Sequence, residues 1–230
     1  MRKELILYHG SEKIIEKPVF GHGRKNNDFG LGFYCTENNE LAKEWACSSL
    51  QNGFSNKYSI DISDLNILNL NSPEYNILNW ITILVTHRIF KIKTPIAGRA
   101  IKYLKENFYV DVDAYDVIIG YRADDSYFDF ADAFLNNGIN INELATALKL
   151  GKLGTQVVIK SEYAFSKMKF LGYEIAMSDK YYTKRKARND EADKLYYDLL
   201  NINSTGMYIN DIILGMVKNN DSRIPKNDNE

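Results

Sequence analysis

Residues 28–48 have the sequence DFGLGFYCTENNELAKEWACS, and the predicted fold is organised around them. Two glycines, Gly30 and Gly32, precede a short apolar and aromatic run that predicts a strand at 33–35. A helix follows, and Thr36 is its predicted N-cap because a threonine hydroxyl accepts hydrogen bonds from the N–H groups of the first turn. Glycine has no Cβ, so this strand–helix junction lets the backbone pass close to another group.

Two aromatic residues of this segment are predicted to face one cleft. Tyr34 lies in the short strand, and Trp45 lies on the inner face of the helix predicted over 37–50. Two rings beside a glycine-rich backbone suit a flat, aromatic ligand. The alternative is that both rings are core residues, which is the usual place of large aromatic side chains.

Composition indicates a globular chain with room for one large domain. The chain has 230 residues, 45% of them hydrophobic, and a net charge of −1, which argues against a broad nucleic-acid or membrane surface. The apolar run Leu5–Tyr8 is too short for a signal peptide, and no segment is long and apolar enough to span a bilayer. Cys35 and Cys47 have neither metal-ligand spacing nor a disulfide framework, so we expect reduced, buried thiols in a cytoplasmic protein.

The hydrophobic pattern predicts an α+β fold. Short apolar strands are scattered among helices without strict alternation, which favours two antiparallel sheets packed around a cleft, with helices outside, over a doubly wound sheet. Helices are predicted, for example, over 125–135 and 141–150. We expect one domain at 1–178, C-terminal helices at 179–218 packed on it, and a disordered polar tail at 219–230.

Two further polar residues stand at predicted strand ends. His9, in LYHGS, follows the predicted strand Glu4–Tyr8, where its imidazole could hold a ligand hydroxyl while the Gly10 backbone binds an amide. The alternative for His9 is a partly exposed cap of the strand. Gln156, in GTQVVIKS, begins an apolar strand, and its alternative is a solvent-facing residue at a sheet edge.

Taken in order, three motifs resemble the signature of ADP-ribosyltransferases of the His-Tyr-Glu type. The motifs are LYHGS at 7–11, GLGFYCTENNELAKEWA at 30–46 and TQVVIKS at 155–161. The chain also resembles an uncharacterised bacterial group of that superfamily, which has DFG before the tyrosine motif and a segment similar to YDVIIGYRADD at 115–125. The resemblance covers roughly residues 4–178 and implies an ADP-ribosyltransferase-like split β-sandwich of two antiparallel sheets with peripheral helices.

The resemblance implies roles in binding and cleaving NAD as a substrate, without a metal. His9 would bond a hydroxyl of the ribose attached to adenine, with Ser11 near the same ribose. Gly10 would clamp the nicotinamide carboxamide, and the rings of Tyr34 and Trp45 would sandwich the nicotinamide. The glycosidic bond would then break through an oxocarbenium-like centre.

Gln156 departs from the family pattern, in which this position is glutamate. A glutamine keeps the hydrogen bond to a ribose hydroxyl, but it carries no charge and cannot act as a base. Asp28, Asp124 and Asp125 are candidate substitutes, with turn and cap chemistry as their alternative. Arg122 would bind a phosphate or pair with an aspartate.

Three functional hypotheses follow from the sequence. The first is an NAD-dependent mono-ADP-ribosyltransferase, such as a toxin or defence effector, with catalytic His9, Tyr34 and Gln156. Its acceptor is an unidentified protein, nucleic acid or small molecule, and an antitoxin or immunity protein is a further expected partner. The second is an NAD-binding pseudoenzyme or sensor, and the third is an interaction protein with accidental motif matches. The basic run KRKAR at 184–188 is either a solvated helix face or a site for an acidic partner.

Overall fold

The computed structural model describes residues 3–122, 125–150, 154–200 and 205–225. The strands in these ranges are β1 (Glu4–Ser11), β2 (Phe33–Cys35), β3 (Gly53–Asp61), β4 (Ile67–Asn69), β5 (Val117–Tyr121), β6 (Thr155–Ile159) and β7 (Met168–Ala176). The helices are α1 (Asn39–Ala46), α2 (Ile77–His87), α3 (Pro95–Asn107), α4 (Asp125–Leu135), α5 (Ile141–Leu150), α6 (Glu162–Ser166), α7 (Ser178–Leu200) and α8 (Ile209–Leu214), with a 3₁₀ turn at Val112–Ala114.

The strands form two sheets, so the predicted α+β fold with two sheets is confirmed. One sheet has three antiparallel strands in the order β1-β3-β7. The other has four strands in the order β2-β6-β5-β4, in which β4 and β5 are parallel and the remaining pairs are antiparallel. Helices lie around both sheets, as the scattered strand pattern indicates.

A short backbone bridge joins the two sheets. The Tyr8 N–H donates to the Thr36 carbonyl at 2.8 Å, and the Thr36 N–H donates to the Tyr8 carbonyl at 2.9 Å. Apolar residues from both sheets are buried together beside this bridge: Leu5, Leu7, Cys35, Ile60, Val117, Val157 and Ile159. The bridge and this apolar layer bring the end of β1 against β2.

The four-stranded sheet has a second buried face. Ile118 and Val158 point away from the first sheet into a larger core that α2, α3, α4, α5 and α8 complete. Their neighbours Val117 and Val157 point to the first sheet, as expected because successive residues of a strand face opposite sides. Trp80 of α2 is only 1% exposed in this larger core, and no described helix is long and apolar enough to cross a membrane.

Three predicted element boundaries are wrong, and one of them is the end of α1, which stops at Ala46 and not at residue 50. β1 does not end at Tyr8 but continues through Ser11, because the strand stays paired with β3. α1 is capped by Asn38, whose side-chain oxygen accepts from the N–H groups of Glu40 and Leu41. Thr36 is therefore not the N-cap, because its backbone is used in the bridge between the sheets.

The C-terminal part of the chain packs on the rest. α7 contacts α1, and α8 contacts α3. The prediction that disorder begins at residue 219 is wrong for residues 219–225: the Asn76 side chain donates to the Asn219 side chain at 2.8 Å, and Ile224 is 4% exposed in the larger core. Residues 226–230 of the expected tail lie outside the described residues.

Gly10 provides a test of the contact between β1 and α1. A Cβ at Gly10 would lie 2.1 Å from the Ala42 carbonyl oxygen of α1, and backbone cannot yield as a side chain can. We expect Gly10→Ala to lower the free energy of unfolding by about 1–3 kcal/mol, the usual cost of overpacking. Urea unfolding of the variant measures this change.

Gly98→Ala is the matched control for Gly10→Ala. Gly98 lies in α3, where a Cβ would meet only the Ile92 side chain at an ordinary 3.6 Å. Alanine is the better helix former, so we expect this variant to gain about 0.5–1 kcal/mol. Equal effects of the two substitutions would contradict the proposed close approach of β1 and α1.

Candidate active site

A cavity of about 570 Å³ opens where β1, β2 and the start of β6 meet. A smaller cavity of about 140 Å³ adjoins it beside α1. The residues shared by both linings are His9, Tyr34, Trp45, Arg122 and Gln156. The structure therefore brings together four side chains that the sequence selected from three separate motifs, and Arg122, which the sequence offered as a phosphate ligand, lies beside them.

His9 is held in one orientation by β2. Its Nδ1 lies 2.7 Å from the Tyr34 carbonyl oxygen, and its ring stacks on Phe33 with centroids 4.3 Å apart. A carbonyl oxygen only accepts, so Nδ1 carries the proton and Nε2 of the neutral imidazole is an acceptor. Burial lowers the pKa of His9, the bond to the Tyr34 carbonyl opposes this shift, and the charge of Arg122 adds to it. The imidazole is therefore neutral at pH 7.

Tyr34 is fixed by the glycine turn that precedes it. Its hydroxyl donates to the Gly30 carbonyl at 2.5 Å and accepts from the Phe29 N–H at 3.1 Å. Burial raises the pKa of Tyr34 well above its usual range, so the phenol stays protonated. The phenol of Tyr34 is thus a fixed wall of the cavity.

Neighbouring residues leave no room for a side chain at the two glycines of this turn. Gly30 has a φ of +73°, and a Cβ there would lie 2.8 Å from Nδ1 of His87. A Cβ at Gly32 would lie 2.6 Å from the Val158 side chain on β6. The close approach predicted from these glycines is therefore to His87 and β6.

Two arginines lie over the ring of Trp45. The Arg122 guanidinium carbon is 3.6 Å from the ring centroid, and that of Arg185 is 4.4 Å away. Cation–π contacts of this kind are favourable by about 0.5–2 kcal/mol. Arg122 also lines both cavities, so a nicotinamide ring could stack between Tyr34 and Trp45 only after Arg122 moved from the indole.

Gln156 belongs to a buried polar cluster at the start of β6. Its Nε2 donates to Oδ2 of Asp28 at 3.2 Å, and the other carboxylate oxygen of Asp28 lies 3.4 Å from Nη1 of Arg88. Gln156 is 4% exposed and Asp28 is 5% exposed. Gln156 is therefore not a solvent-facing residue at a sheet edge.

The remaining predicted site residues lie at different distances from the cavities. Gly10 lines the smaller cavity. Ser11 lines neither, and its hydroxyl accepts from the Lys13 N–H at 3.2 Å. Asp125 is the first residue of α4, and Asp124 lies outside the described residues.

The charge of the larger cavity depends on residues that sequence reasoning did not select. Lys17 and Arg88 line it together with Arg122, and Asp28 is the one carboxylate among its described lining residues. The lining therefore carries an excess of positive charge, although the whole chain has a net charge of −1. Neither Lys17 nor Arg88 lies in a recognisable motif, so no local signal in the sequence identifies them.

The basic run at 184–188 contacts the protein itself. Lys184 pairs with Glu40 at 3.0 Å, and Arg188 pairs with Glu44 at 2.7 Å, both on α1. The acidic partner considered for this run is therefore α1 of the same chain. Because Arg185 lies on Trp45, the run also holds α7 beside the cavities.

Comparison with known proteins identifies the family of the chain. The family model described as Protein of unknown function (DUF3990) matches residues 5–170. The chain belongs to the DUF3990 family. The matched range contains His9, Asp28, Tyr34, Trp45 and Gln156. No curated protein and no solved structure gives a significant match, so the resemblance of this DUF3990 protein to ADP-ribosyltransferases stays a prediction.

The site of this DUF3990 protein gives a prediction about pH. A pKa lowered in the folded state means that the unfolded chain binds more protons once the pH falls below the ordinary histidine value of 6.5. We expect the free energy of unfolding to decrease from pH 7 to pH 5, and His9→Gln to reduce that slope. Urea unfolding at several pH values measures it.

His87→Gln is the parallel variant for the pH experiment, because burial also lowers the pKa of His87. Each variant should reduce the slope of the free energy of unfolding against pH. The double variant His9→Gln with His87→Gln should reduce it more than either single variant. An unchanged slope in His9→Gln would mean that His9 takes up its proton as readily in the folded protein as in the unfolded chain.

Trp45 gives a prediction that fluorescence can test. The chain has two tryptophans, and Trp80 is buried in the larger core away from the cavity lining. If NAD binds against Trp45, it should quench the fluorescence of the wild type and leave that of Trp45→Phe unchanged. Trp45→Ala should weaken NAD binding by about 1–3 kcal/mol, as for loss of a central aromatic contact. Equal quenching in Trp45→Phe would contradict this placement.

Proposed function

We propose that this DUF3990 protein is an NAD-dependent mono-ADP-ribosyltransferase. The observation that carries the proposal is that His9, Tyr34, Trp45 and Gln156 line one cavity. These residues come from the three motifs that resemble the His-Tyr-Glu signature, and they lie on β1, β2, α1 and β6. Accidental motif matches would have no reason to converge in this way.

The cavity suits a dinucleotide in size and charge. Its volume of about 570 Å³ falls within the range of roughly 300–1,000 Å³ that is common for small-molecule sites. Lys17, Arg88 and Arg122 are positive groups for a pyrophosphate. The ring of Tyr34, and that of Trp45 once Arg122 has moved from it, are apolar surfaces for a nicotinamide ring.

The hydrogen-bonding groups of the site suit the two riboses. Nε2 of His9 is an acceptor for a ribose hydroxyl, because Nδ1 is already bound to the Tyr34 carbonyl. The Gln156 amide nitrogen is bound to Asp28, so its oxygen is the group to accept a hydroxyl of the nicotinamide ribose. Held in this way, the bond between ribose C1′ and nicotinamide breaks, its electron pair leaves with nicotinamide, and an acceptor bonds to C1′.

The finer assignments of fold, place and partners follow from this activity. We assign the two bridged sheets to the ADP-ribosyltransferase-like split sandwich. We place the protein in the cytoplasm, where its two free, buried cysteines would remain reduced. An acceptor molecule, and an antitoxin or immunity protein that controls the activity, are the proposed partners.

One observation favours a second function, an NAD-binding pseudoenzyme or sensor. Gln156 is neutral at a position where the related transferases carry glutamate, and a neutral amide cannot remove a proton from an acceptor. In this alternative the protein binds NAD with the same residues and releases no nicotinamide.

Binding and turnover measured side by side test the proposal. Calorimetry with NAD, and chromatography of released nicotinamide with and without cell lysate, should show binding and cleavage by the wild type. His9→Ala should lose both while remaining folded, with a lower melting temperature because the stacking on Phe33 and the bond to the Tyr34 carbonyl are removed.

Lys102→Ala is the control for His9→Ala. Lys102 has a side chain 78% exposed on α3 and should behave as the wild type. Binding without nicotinamide release in any lysate would select the pseudoenzyme, and absence of binding would refute both functions.

A further inference from the structure

Asp28 and Gln156 form a carboxylate–amide pair inside the cavity. Both side chains are at least nine-tenths buried, and the Nε2–Oδ2 distance is 3.2 Å. A carboxylate accepts hydrogen bonds and does not donate them, so the amide nitrogen must face Asp28. The amide oxygen then remains for a ligand hydroxyl, and the carboxylate lines the same cavity.

Burying the Asp28 carboxylate costs free energy of folding, because the charge is removed from water. Asp28 is buried and its partner Arg88 is partly exposed, and such a pair adds little net stability because desolvation of the charges offsets their attraction. Buried carboxylates that line a cavity are therefore candidates for chemistry. Among the aspartates that the sequence offers as substitutes for glutamate, Asp28 has a side chain that the structure describes, and it lines the cavity with Gln156.

We propose that Asp28 is the catalytic carboxylate of this site and that Gln156 is a positioning residue. The inference rests on the proposed transferase and concerns how it works with glutamine in the third motif. The two functions of a single glutamate, hydrogen bonding and negative charge, are divided here between neighbouring side chains from different parts of the chain. Arg88 supplies the opposite charge that makes a buried carboxylate tolerable.

The reaction balances with Asp28 as the base. The bond between ribose C1′ and the nicotinamide nitrogen breaks, and its electron pair neutralises the pyridinium to give nicotinamide. The Asp28 carboxylate stabilises the positive charge that develops at C1′. A protic nucleophile, water in the simplest case, forms a bond from its oxygen to C1′, and its proton passes to Asp28 and then to solvent. The products are nicotinamide, ADP-ribose on the nucleophile, and one proton.

An exchange of carboxylate and amide tests this division of roles. Four proteins are compared: the wild type, Asp28→Asn, Gln156→Glu, and the double variant Asp28→Asn with Gln156→Glu. Each is assayed for NAD affinity by calorimetry, for nicotinamide release in water and in cell lysate, and for melting temperature. The double variant keeps one carboxylate and one amide in contact. It therefore preserves the hydrogen bond and moves the negative charge from position 28 to position 156.

The expected result separates binding from chemistry. Asp28→Asn should bind NAD within a few-fold of the wild type and release nicotinamide about 100- to 1,000-fold more slowly, as when a charge-stabilising group is removed. The double variant should release nicotinamide at least tenfold faster than Asp28→Asn does. A merely structural role of Asp28 would not produce this recovery of rate at unchanged NAD affinity.

Three outcomes would overturn the inference. In the first, Asp28→Asn releases nicotinamide at the wild-type rate. In the second, the wild type binds NAD without cleaving it while Gln156→Glu cleaves it, which shows that Asp28 does not replace glutamate and that the protein is a pseudoenzyme. In the third, the double variant folds and binds NAD but stays as slow as Asp28→Asn.

Failure of the inference can be distinguished from failure of the proposed function. If the wild type does not bind NAD, the proposed function is wrong and the inference falls with it. If Asp28→Asn does not fold, the double variant, which retains the pair, decides the question by its rate. Nicotinamide release by a folded double variant then supports the inference, and its absence overturns it.

Discussion

The pair of hydrogen bonds between Tyr8 and Thr36 is the constraint on which the site depends. These bonds, at 2.8 and 2.9 Å, join two sheets that otherwise meet through side chains. They place the end of β1 beside β2, so that His9 reaches the Tyr34 carbonyl at 2.7 Å. Because β2 also pairs with β6, the same bridge determines how far Gln156 lies from His9.

The polar groups of the cavity are largely buried, so each of them needs a hydrogen-bond partner from the protein. An unpaired buried polar group costs roughly 1–3 kcal/mol, so the orientation of each group is set by the partner it has found. His9, Tyr34 and Gln156 each have one side of their polar group bound to protein. For His9 and Gln156, the opposite nitrogen or oxygen is left to a ligand. For the proposed transferase, these groups would be oriented before a substrate arrives, which is the condition for electrostatic catalysis.

Local sequence patterns predicted much of the secondary structure and part of the site. The helices over 125–135 and 141–150 have the predicted bounds, because their apolar period is clear and Asn136 to Gly138 separates them. Four residues selected from the three motifs line one cavity, namely His9, Tyr34, Trp45 and Gln156, while the resemblance to ADP-ribosyltransferases stays a prediction. The N-cap was predicted wrongly at Thr36, because two capping residues lie close together in sequence and only strand pairing distinguishes them. The DUF3990 family model matches residues 5–170, a range that contains these same elements.

The sequence by itself determined the α+β class and the chemical types in the three motifs, because periodicity and residue type are local properties. Only the tertiary structure decided that Asp28 meets Gln156, that Arg88 pairs with Asp28, and that Arg122 lies on Trp45. These contacts join residues from different strands, helices and loops. Their distances depend on the register of β2 on β6 and on the bridge between the sheets. A contact of this kind leaves no periodic signal in the chain, since nothing in the spacing of two distant residues records that folding brings them within 4 Å.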